Sequence, residues 1–194
     1  MTTTIPLWID QILDKNIQFR ARIDRHKLPV ERTPGAAVIT CMDPRVNLES
    51  IGIPAFSQDG TGTSPVRIIR TLGAIAEDRS LIVGIYLAGF REIVILMHTD
   101  CGCCLAYSKI DTIVANLRAR LSPEAFQAFQ AEVGEPFTDK LRVYLKAFEN
   151  PYDAVQAEVE RIHQMAFIPD DLIVHGLVYD LSSGKVDVVV NGSE

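Results

Sequence analysis

The sequence predicts an α/β fold: a mostly parallel central β-sheet flanked by helices, with an antiparallel C-terminal edge hairpin and an N-terminal helical arm. Three observations carry this expectation. Uncharged apolar runs of strand length recur at Ala36–Thr40, Ile93–Met97 and Leu172–Ile173–Val174, and such runs read as strands buried on both faces of a parallel sheet. Segments of helical period separate them. The last strand-like run, Val186–Val190, follows the short turn Ser182-Ser183-Gly184-Lys185, which suits a hairpin.

The 194 residues, 47% hydrophobic and 23% charged, suit a single globular unit with a sizeable core. Residues 1–35 are expected to form the helical arm and 36–194 a single α/β domain. A net charge of −6 without any Lys/Arg run argues against nucleic acid as a partner. Met1-Thr2-Thr3-Thr4-Ile5-Pro6 lacks the basic and apolar regions of a signal peptide, and no stretch approaches a membrane span. The expectation is a cytoplasmic protein without a membrane partner.

Taken in order, Pro6 to Arg22 place Trp8, Ile9, Ile12, Leu13 and Ile17 on one helical face, with Asp10, Gln11, Asp14, Lys15 and Gln18 opposite. That face covers either its own subunit or a partner. Pro29 and the turn Thr33-Pro34-Gly35 lead into the first strand. Beyond Arg45 an apolar-polar segment reaches Ile53. Pro54 to Pro65 then reads as a surface insertion, because phosphate-cradling glycines belong between a strand and a helix and Gly60 and Gly62 precede a strand. Val66–Arg70 is the second strand. Ile75 to Phe90 reads as a helix stopped by Gly89, and Ile93–Met97 completes a strand-helix-strand crossover.

Leu105–Leu121, Pro123–Val133 and Thr138–Phe148 read as helices, with Ser122-Pro123-Glu124 as cap and first turn. Their stripe of Phe126, Phe129, Leu141, Tyr144, Leu145 and Phe148 reads as core or subunit contact. Asn150-Pro151-Tyr152-Asp153 opens a helix through Met165, and Leu172–Asp180 is a long strand. His175, inside that strand, reads as a hydrogen-bonded core residue.

Two clusters follow strand ends: Cys41-Met42-Asp43-Pro44-Arg45 and His98-Thr99-Asp100-Cys101. Ligands of open parallel sheets bind outside the carboxyl ends of the strands, so clusters on neighbouring strands can meet there. Cys41, His98 and Cys101 would then form a Cys₂His set with a fourth tetrahedral position open, the pattern of catalytic zinc. Burial as ordinary packing residues is the competing reading for these cysteines. Three of the four cysteines crowd into Cys101-Gly102-Cys103-Cys104, which suits reduced thiols better than a disulfide framework. An iron-sulfur cluster would use four thiolates but leave His98, Asp43 and Arg45 without a role. Cys103 and Cys104 read as the buried start of the following helix, with pocket-facing or oxidisable thiols as the other possibility.

Cys41-x-Asp43-x-Arg45 followed by His98-x-x-Cys101 resembles the signature of the beta-class carbonic anhydrases, and His98-Thr99-Asp100-Cys101-Gly102 resembles the branch that includes carbonyl sulfide hydrolases. The resemblance implies a zinc lyase that interconverts carbon dioxide and bicarbonate through water activated on Zn²⁺. It equally allows hydrolysis of carbonyl sulfide or a related small thio-electrophile, or a non-catalytic zinc-binding homologue. Metal ligands would be Cys41, His98 and Cys101. Asp43 would orient the nucleophile and Arg45 would hold Asp43 ionised and aimed; in some members the Asp instead becomes the fourth ligand. Two thiolates donate charge and leave the water less acidic, so activity is expected to be greatest at alkaline pH.

Arg70-Thr71-Leu72-Gly73-Ala74 corresponds to the family's Arg-Asn-Ala-Gly-Gly and implies a substrate pocket lined by Arg70, Thr71, Leu72 and Gly73. Arg70 and Gly73 match; Thr71, Leu72 and Ala74 depart, which bears on pocket shape and substrate choice. The resemblance further implies a homodimer or higher homo-oligomer around which the N-terminal helix wraps.

Overall fold

The computed structural model describes Ile12, Ile17 and residues 35–53 and 66–194. The expected surface insertion at 54–65 lies outside them, as does the expected N-terminal helix except for Ile12 and Ile17, which are helical and exposed. The labelled elements all belong to one compact unit, Arg32–Ala55 with Ser64–Glu194. They are β1 (Ala36–Cys41), β2 (Val66–Thr71), α1 (Asp78–Tyr86), β3 (Glu92–His98), α2 (Gly102–Ser108), α3 (Ile110–Arg120), α4 (Pro123–Val133), α5 (Phe137–Tyr144), α6 (Pro151–His163), β4 (Ile173–Tyr179) and β5 (Val186–Val190).

The sheet order is β2-β1-β3-β4-β5. The first four strands run parallel and β5 pairs antiparallel with β4, as the apolar runs and the final turn predict. Chain order and sheet order differ at one place: α1 carries the chain from β2 across β1 to β3. The two strands that end in the cysteine and histidine clusters are therefore direct neighbours, with Thr40 opposite Leu96 and a buried Thr40 hydroxyl donating to the Leu96 carbonyl at 2.9 Å.

Alternation along the strands divides the core between two faces. Ala37 and Ile39 with Ile93, Ile95 and Met97 pack under Leu81 of α1 and Val155, Val159 and Ile162 of α6. Val38, Val94 and Leu96 face the other way, toward Val46 and the 3₁₀ turn Leu48–Ile51. A separate cluster joins α3, α4 and α5 through Ile110, Leu117, Phe126, Phe129, Phe137 and Leu141, so most of the aromatic stripe is core, as expected. Tyr144 stands exposed and Phe148 instead packs near the cysteines.

Helix lengths differ from expectation where the backbone leaves the helical region. The long helix foreseen over Leu105–Leu121 is two, broken at Lys109 (φ −108°, ψ 24°). The helix foreseen from Ile75 starts at Asp78, because Gly73 (φ 67°) and Ala74 (φ 61°) form a left-handed turn before it. The helix foreseen to Phe148 stops at Tyr144, with Lys146 at φ 48° just beyond.

One close approach fixes α1 on the sheet. A Cβ built on Gly84 would lie 2.1 Å from the ring of Phe90, itself buried. Alanine normally stabilises a helix interior relative to glycine by about 1 kcal/mol, yet here it overpacks the core. Gly84→Ala is expected to lower unfolding free energy in urea by about 1–3 kcal/mol; unchanged or increased stability would show that α1 does not need this contact.

Candidate metal centre

Cys41 ends β1, His98 ends β3, and Cys101 is the N-cap of α2, three residues beyond His98. All three are buried, and their ligand atoms lie within 4.8 Å of one another, the one such grouping among the described residues. The Cys41 and Cys101 sulfurs are 3.9 Å apart. Two sulfurs each about 2.3 Å from a tetrahedral Zn²⁺ sit about 3.8 Å apart, so the pair already has the spacing of a shared metal. Cys103 and Cys104 fall outside the grouping while the imidazole falls inside it, and none of the four cysteines forms a disulfide.

The histidine supplies the decisive detail. His98 Nδ1 lies 2.8 Å from the Thr99 carbonyl; a carbonyl only accepts, so Nδ1 carries the proton and Nε2 presents a lone pair. Among the described residues, His98 Nε2 is the one fully buried side-chain nitrogen or oxygen without a hydrogen-bond partner. A buried lone pair left unmatched is costly unless something binds it. With two thiols beside it, the donor set fits Zn²⁺.

The thiols act on one another's protonation. Hydrogen bonding to Cys101, then burial, pushes the Cys41 thiol up to about 11, against the backbone N–H groups of Asp43 and Gly73, which favour the thiolate. The Cys101 thiol is also raised, chiefly by Cys103, and Cys103 is lowered by Cys101. Burial pulls the His98 imidazole down, but the neighbouring Cys41 sulfur and the Thr99 carbonyl carry it above its ordinary value. A divalent cation among these groups inverts the balance, since coordination deprotonates the thiols and takes up the imidazole lone pair.

Asp43 and Arg45 are brought together by a turn: β1 ends at Cys41, and the Val46 N–H closes back on the Asp43 carbonyl at 3.2 Å. The Arg45 guanidinium grips Asp43 in a fork, Nε to Oδ1 at 3.0 Å and Nη2 to Oδ2 at 2.7 Å, and the Arg45 backbone N–H adds a bond to Oδ1 at 2.9 Å. Hydrogen bonding to Arg45 holds the Asp43 carboxyl down at about 2. Asp43 is thus ionised throughout the accessible pH range and engaged by Arg45.

The residues foreseen as pocket lining take different places. Arg70 donates from Nη1 to the Cys41 carbonyl at 2.8 Å and from Nη2 to the Val46 carbonyl at 3.1 Å, stapling the loop that bears Asp43 and Arg45. The Thr71 carbonyl accepts the Met42 N–H, while its hydroxyl donates to the Ile75 carbonyl at 2.8 Å. Leu72 is exposed at the turn. Gly73 is buried, and a Cβ there would lie 2.6 Å from the Cys103 sulfur. Ala74 keeps the left-handed backbone that glycine adopts freely, which is how alanine stands where the resembled pattern has glycine. His175, far from this centre in register, pairs with Glu92 and accepts the Gly192 N–H; it is hydrogen-bonded as foreseen, but half-buried and not in the core.

Two contributors escaped the sequence reading. Asp100 accepts from Arg45; its place inside the His98–Cys101 segment was the available signal. Glu158 of α6, buried, accepts the Ala76 N–H at 2.7 Å and pairs with Arg161, which itself donates to the Ala76 carbonyl. That pair fixes the segment leaving Gly73, and nothing in its helical spacing marked it.

A carbonic anhydrase family model matches residues 36–186. The chain belongs to the beta-carbonic anhydrase family. The beta-carbonic anhydrase isoform I of Trichomonas vaginalis superposes with a TM-score of 0.75 at 26% identity, covering 96% of this chain and 100% of that one. YtiB of Bacillus subtilis is 28% identical over 192 residues, 95% of this chain and 97% of the relative. A carbon disulfide hydrolase of Acidianus sp. is 27% identical over 160 residues, 77% of this chain and 74% of that protein.

In this beta-carbonic anhydrase family member the Gly73–Cys103 contact sets how closely the left-handed turn approaches the sulfur cluster. Gly73→Ala adds a Cβ at φ 67° and against Cys103, and is expected to cost about 1–3 kcal/mol of unfolding free energy. Adding Cys103→Ala is expected to recover part of the loss, because the clash goes and the backbone strain stays. Equal stability of Gly73→Ala and the unmodified chain would refute the contact.

Proposed function

We propose that this chain is a zinc enzyme that reversibly hydrates carbon dioxide to bicarbonate, with Cys41, His98 and Cys101 as metal ligands. The observation that carries the reading is the buried, unpartnered Nε2 of His98 facing two thiols at metal-sharing distance. When bound, Zn²⁺ supplies a Lewis acid that brings deprotonation of water toward the neutral range.

The chain's own residues do the rest. The Thr99 carbonyl fixes the His98 tautomer, keeping the ligand nitrogen free. Asp43, permanently anionic, accepts a hydrogen bond from the nucleophilic oxygen and turns a lone pair toward the substrate carbon. Arg45 keeps that carboxylate from rotating by gripping both of its oxygens. Arg70 holds the loop beneath them through two backbone carbonyls.

The Acidianus relative supports a second reading on the same residues, hydrolysis of carbonyl sulfide or a related thio-electrophile. Carbon dioxide, carbonyl sulfide and carbon disulfide are all linear molecules with an electrophilic central carbon. Leu72 presents exposed apolar surface directly after Thr71, the residue paired with Cys41, and apolar surface in contact with substrate would favour the more hydrophobic, sulfur-bearing members of that series. A homo-oligomer, dimer or larger, belongs to the same proposal: Ile82, Val83, Tyr86 and Leu87 leave an exposed apolar row on and just after α1. So does a cytoplasmic location, supported by four free thiols.

The test is stopped-flow carbon dioxide hydration by chain of measured zinc content. One zinc per chain is expected, with turnover rising toward alkaline pH, and Cys101→Ser is expected to lose most of the metal. Asp43→Ala is expected to keep the zinc and lose about 10–100-fold in kcat. Stoichiometric zinc without carbon dioxide turnover, but with sulfide release from carbonyl sulfide, would select the second reading. Zinc with neither activity would make the chain a non-catalytic homologue.

A further inference from the structure

Asp100 stands between His98 and Cys101 with its backbone at φ 54°, a left-handed conformation that Asp and Asn tolerate better than other side-chain-bearing residues. In this conformation both its carboxylate and its carbonyl meet Arg45. Arg45 Nη1 donates to Asp100 Oδ2 at 2.6 Å, and Nη2 donates to the Asp100 carbonyl at 2.9 Å. The same Nη2, together with Nε, grips Asp43.

The topology gives this contact its meaning. Asp43 and Arg45 follow Cys41 on the loop after β1, whereas Asp100 belongs to the loop after β3 that supplies His98 and Cys101. Without Asp100, the Asp43–Arg45 pair is made of residues two apart on one loop, which Arg70 of β2 holds only by its backbone. With it, one guanidinium spans the two ligand-bearing loops. A carboxylate is itself a zinc ligand, so an Asp43 released from this frame competes for the open fourth position.

We infer that Asp100 is a positioning residue: it anchors Arg45 from the second loop and so holds the Asp43 carboxylate beside the metal position instead of in it. The inference rests on the metal-site reading under the proposed function. Asp100 touches neither substrate nor metal; it acts through Arg45 on Asp43.

The experiment loads the full chain with Co²⁺, whose visible absorption reports its ligands, and titrates azide as a probe of the exchangeable position. Asp100→Gly removes the carboxylate and keeps the backbone angle accessible; its azide half-saturation is expected to rise at least about tenfold, the scale of a lost supporting contact at a metal site. Asp100→Asn keeps both the angle and an oxygen acceptor and is expected to stay within about threefold of the unmodified chain on the same scale. Asp43→Asn combined with Asp100→Gly is expected to return to the unmodified range, because no anionic carboxylate is left to compete. A loss of packing alone would not be reversed by that second change. The inference is overturned if Asp100→Gly titrates like the unmodified chain, or if the double variant stays as weak as Asp100→Gly. Failure of the unmodified chain itself to take up Co²⁺, measured as metal content, would overturn the metal reading and this inference with it.

Discussion

The parallel pairing of β1 with β3 is the constraint on which the site depends. Their register brings the two strand ends level, Thr40 against Leu96, so that Cys41 and His98 emerge one step apart at the same edge of the sheet. They belong to opposite faces: Cys41 continues the side of Ala37 and Ile39, and His98 the side of Val94 and Leu96. Side chains from opposite faces meet only beyond the last hydrogen-bonded residues, where the sheet no longer separates them. The site could not form one turn earlier along the strands, and this is why both motifs sit at strand ends.

Around that edge the backbone is held in conformations that most residues avoid. Gly73, Ala74 and Asp100 all stand at positive φ. Each does a different job: Gly73 brings the turn against Cys103, Ala74 redirects the chain toward Ala76, and Asp100 turns two acceptors toward Arg45. Such conformations persist only where surrounding contacts over-determine them. Here the contacts are polar and come from outside the strand ends, from Glu158 and Arg161 on α6 at Ala76 and from Arg45 at Asp100. The helix that covers one face of the sheet therefore also sets the shape of the site's rim.

The strands and the ligand trio were legible because both depend on local sequence: apolar runs of the right length, and thiol and imidazole at their ends. The 3₁₀ turn at Leu72 was not, because propensity does not report a left-handed residue imposed by tertiary contacts, and neither was the break at Lys109, where a single residue leaves the helical region at φ −108°. Ala74 shows the limit most clearly, since alanine is a strong helix former in sequence and takes a glycine-like angle in the structure. Asp43 and Arg45 are brought together by a turn closed through Val46 after the strand has ended, which the spacing of the two residues does not by itself report. Arg70 is expected at the pocket wall from its matching motif; the structure adds that it donates to the Cys41 and Val46 carbonyls and so braces the loop bearing Asp43 and Arg45. Lining a site and bracing its floor are distinct contributions, and a motif match does not separate them.

That distinction bears on substrate choice. On the proposed function, two thiolates and an imidazole would set the charge and acidity at the metal position, and this donor set is indifferent to whether the carbon attacked carries oxygen or sulfur. In that reading Asp43 and Arg45 are equally indifferent, since they would act on the nucleophile. What remains to discriminate is the surface that receives the rest of the linear substrate, and among the described residues Met42, Leu72 and Leu105 are exposed apolar side chains close in the chain to the strand-end segments. An extra methylene or two in contact with substrate is worth only about 1–3 kcal/mol. Within one family, carbon dioxide and its sulfur analogues can therefore be separated by a few exposed residues while the cysteine and histidine trio stays fixed; of the departures from the resembled pattern in this chain, Leu72 is exposed, whereas Ala74 is fully buried and acts through the backbone of the turn.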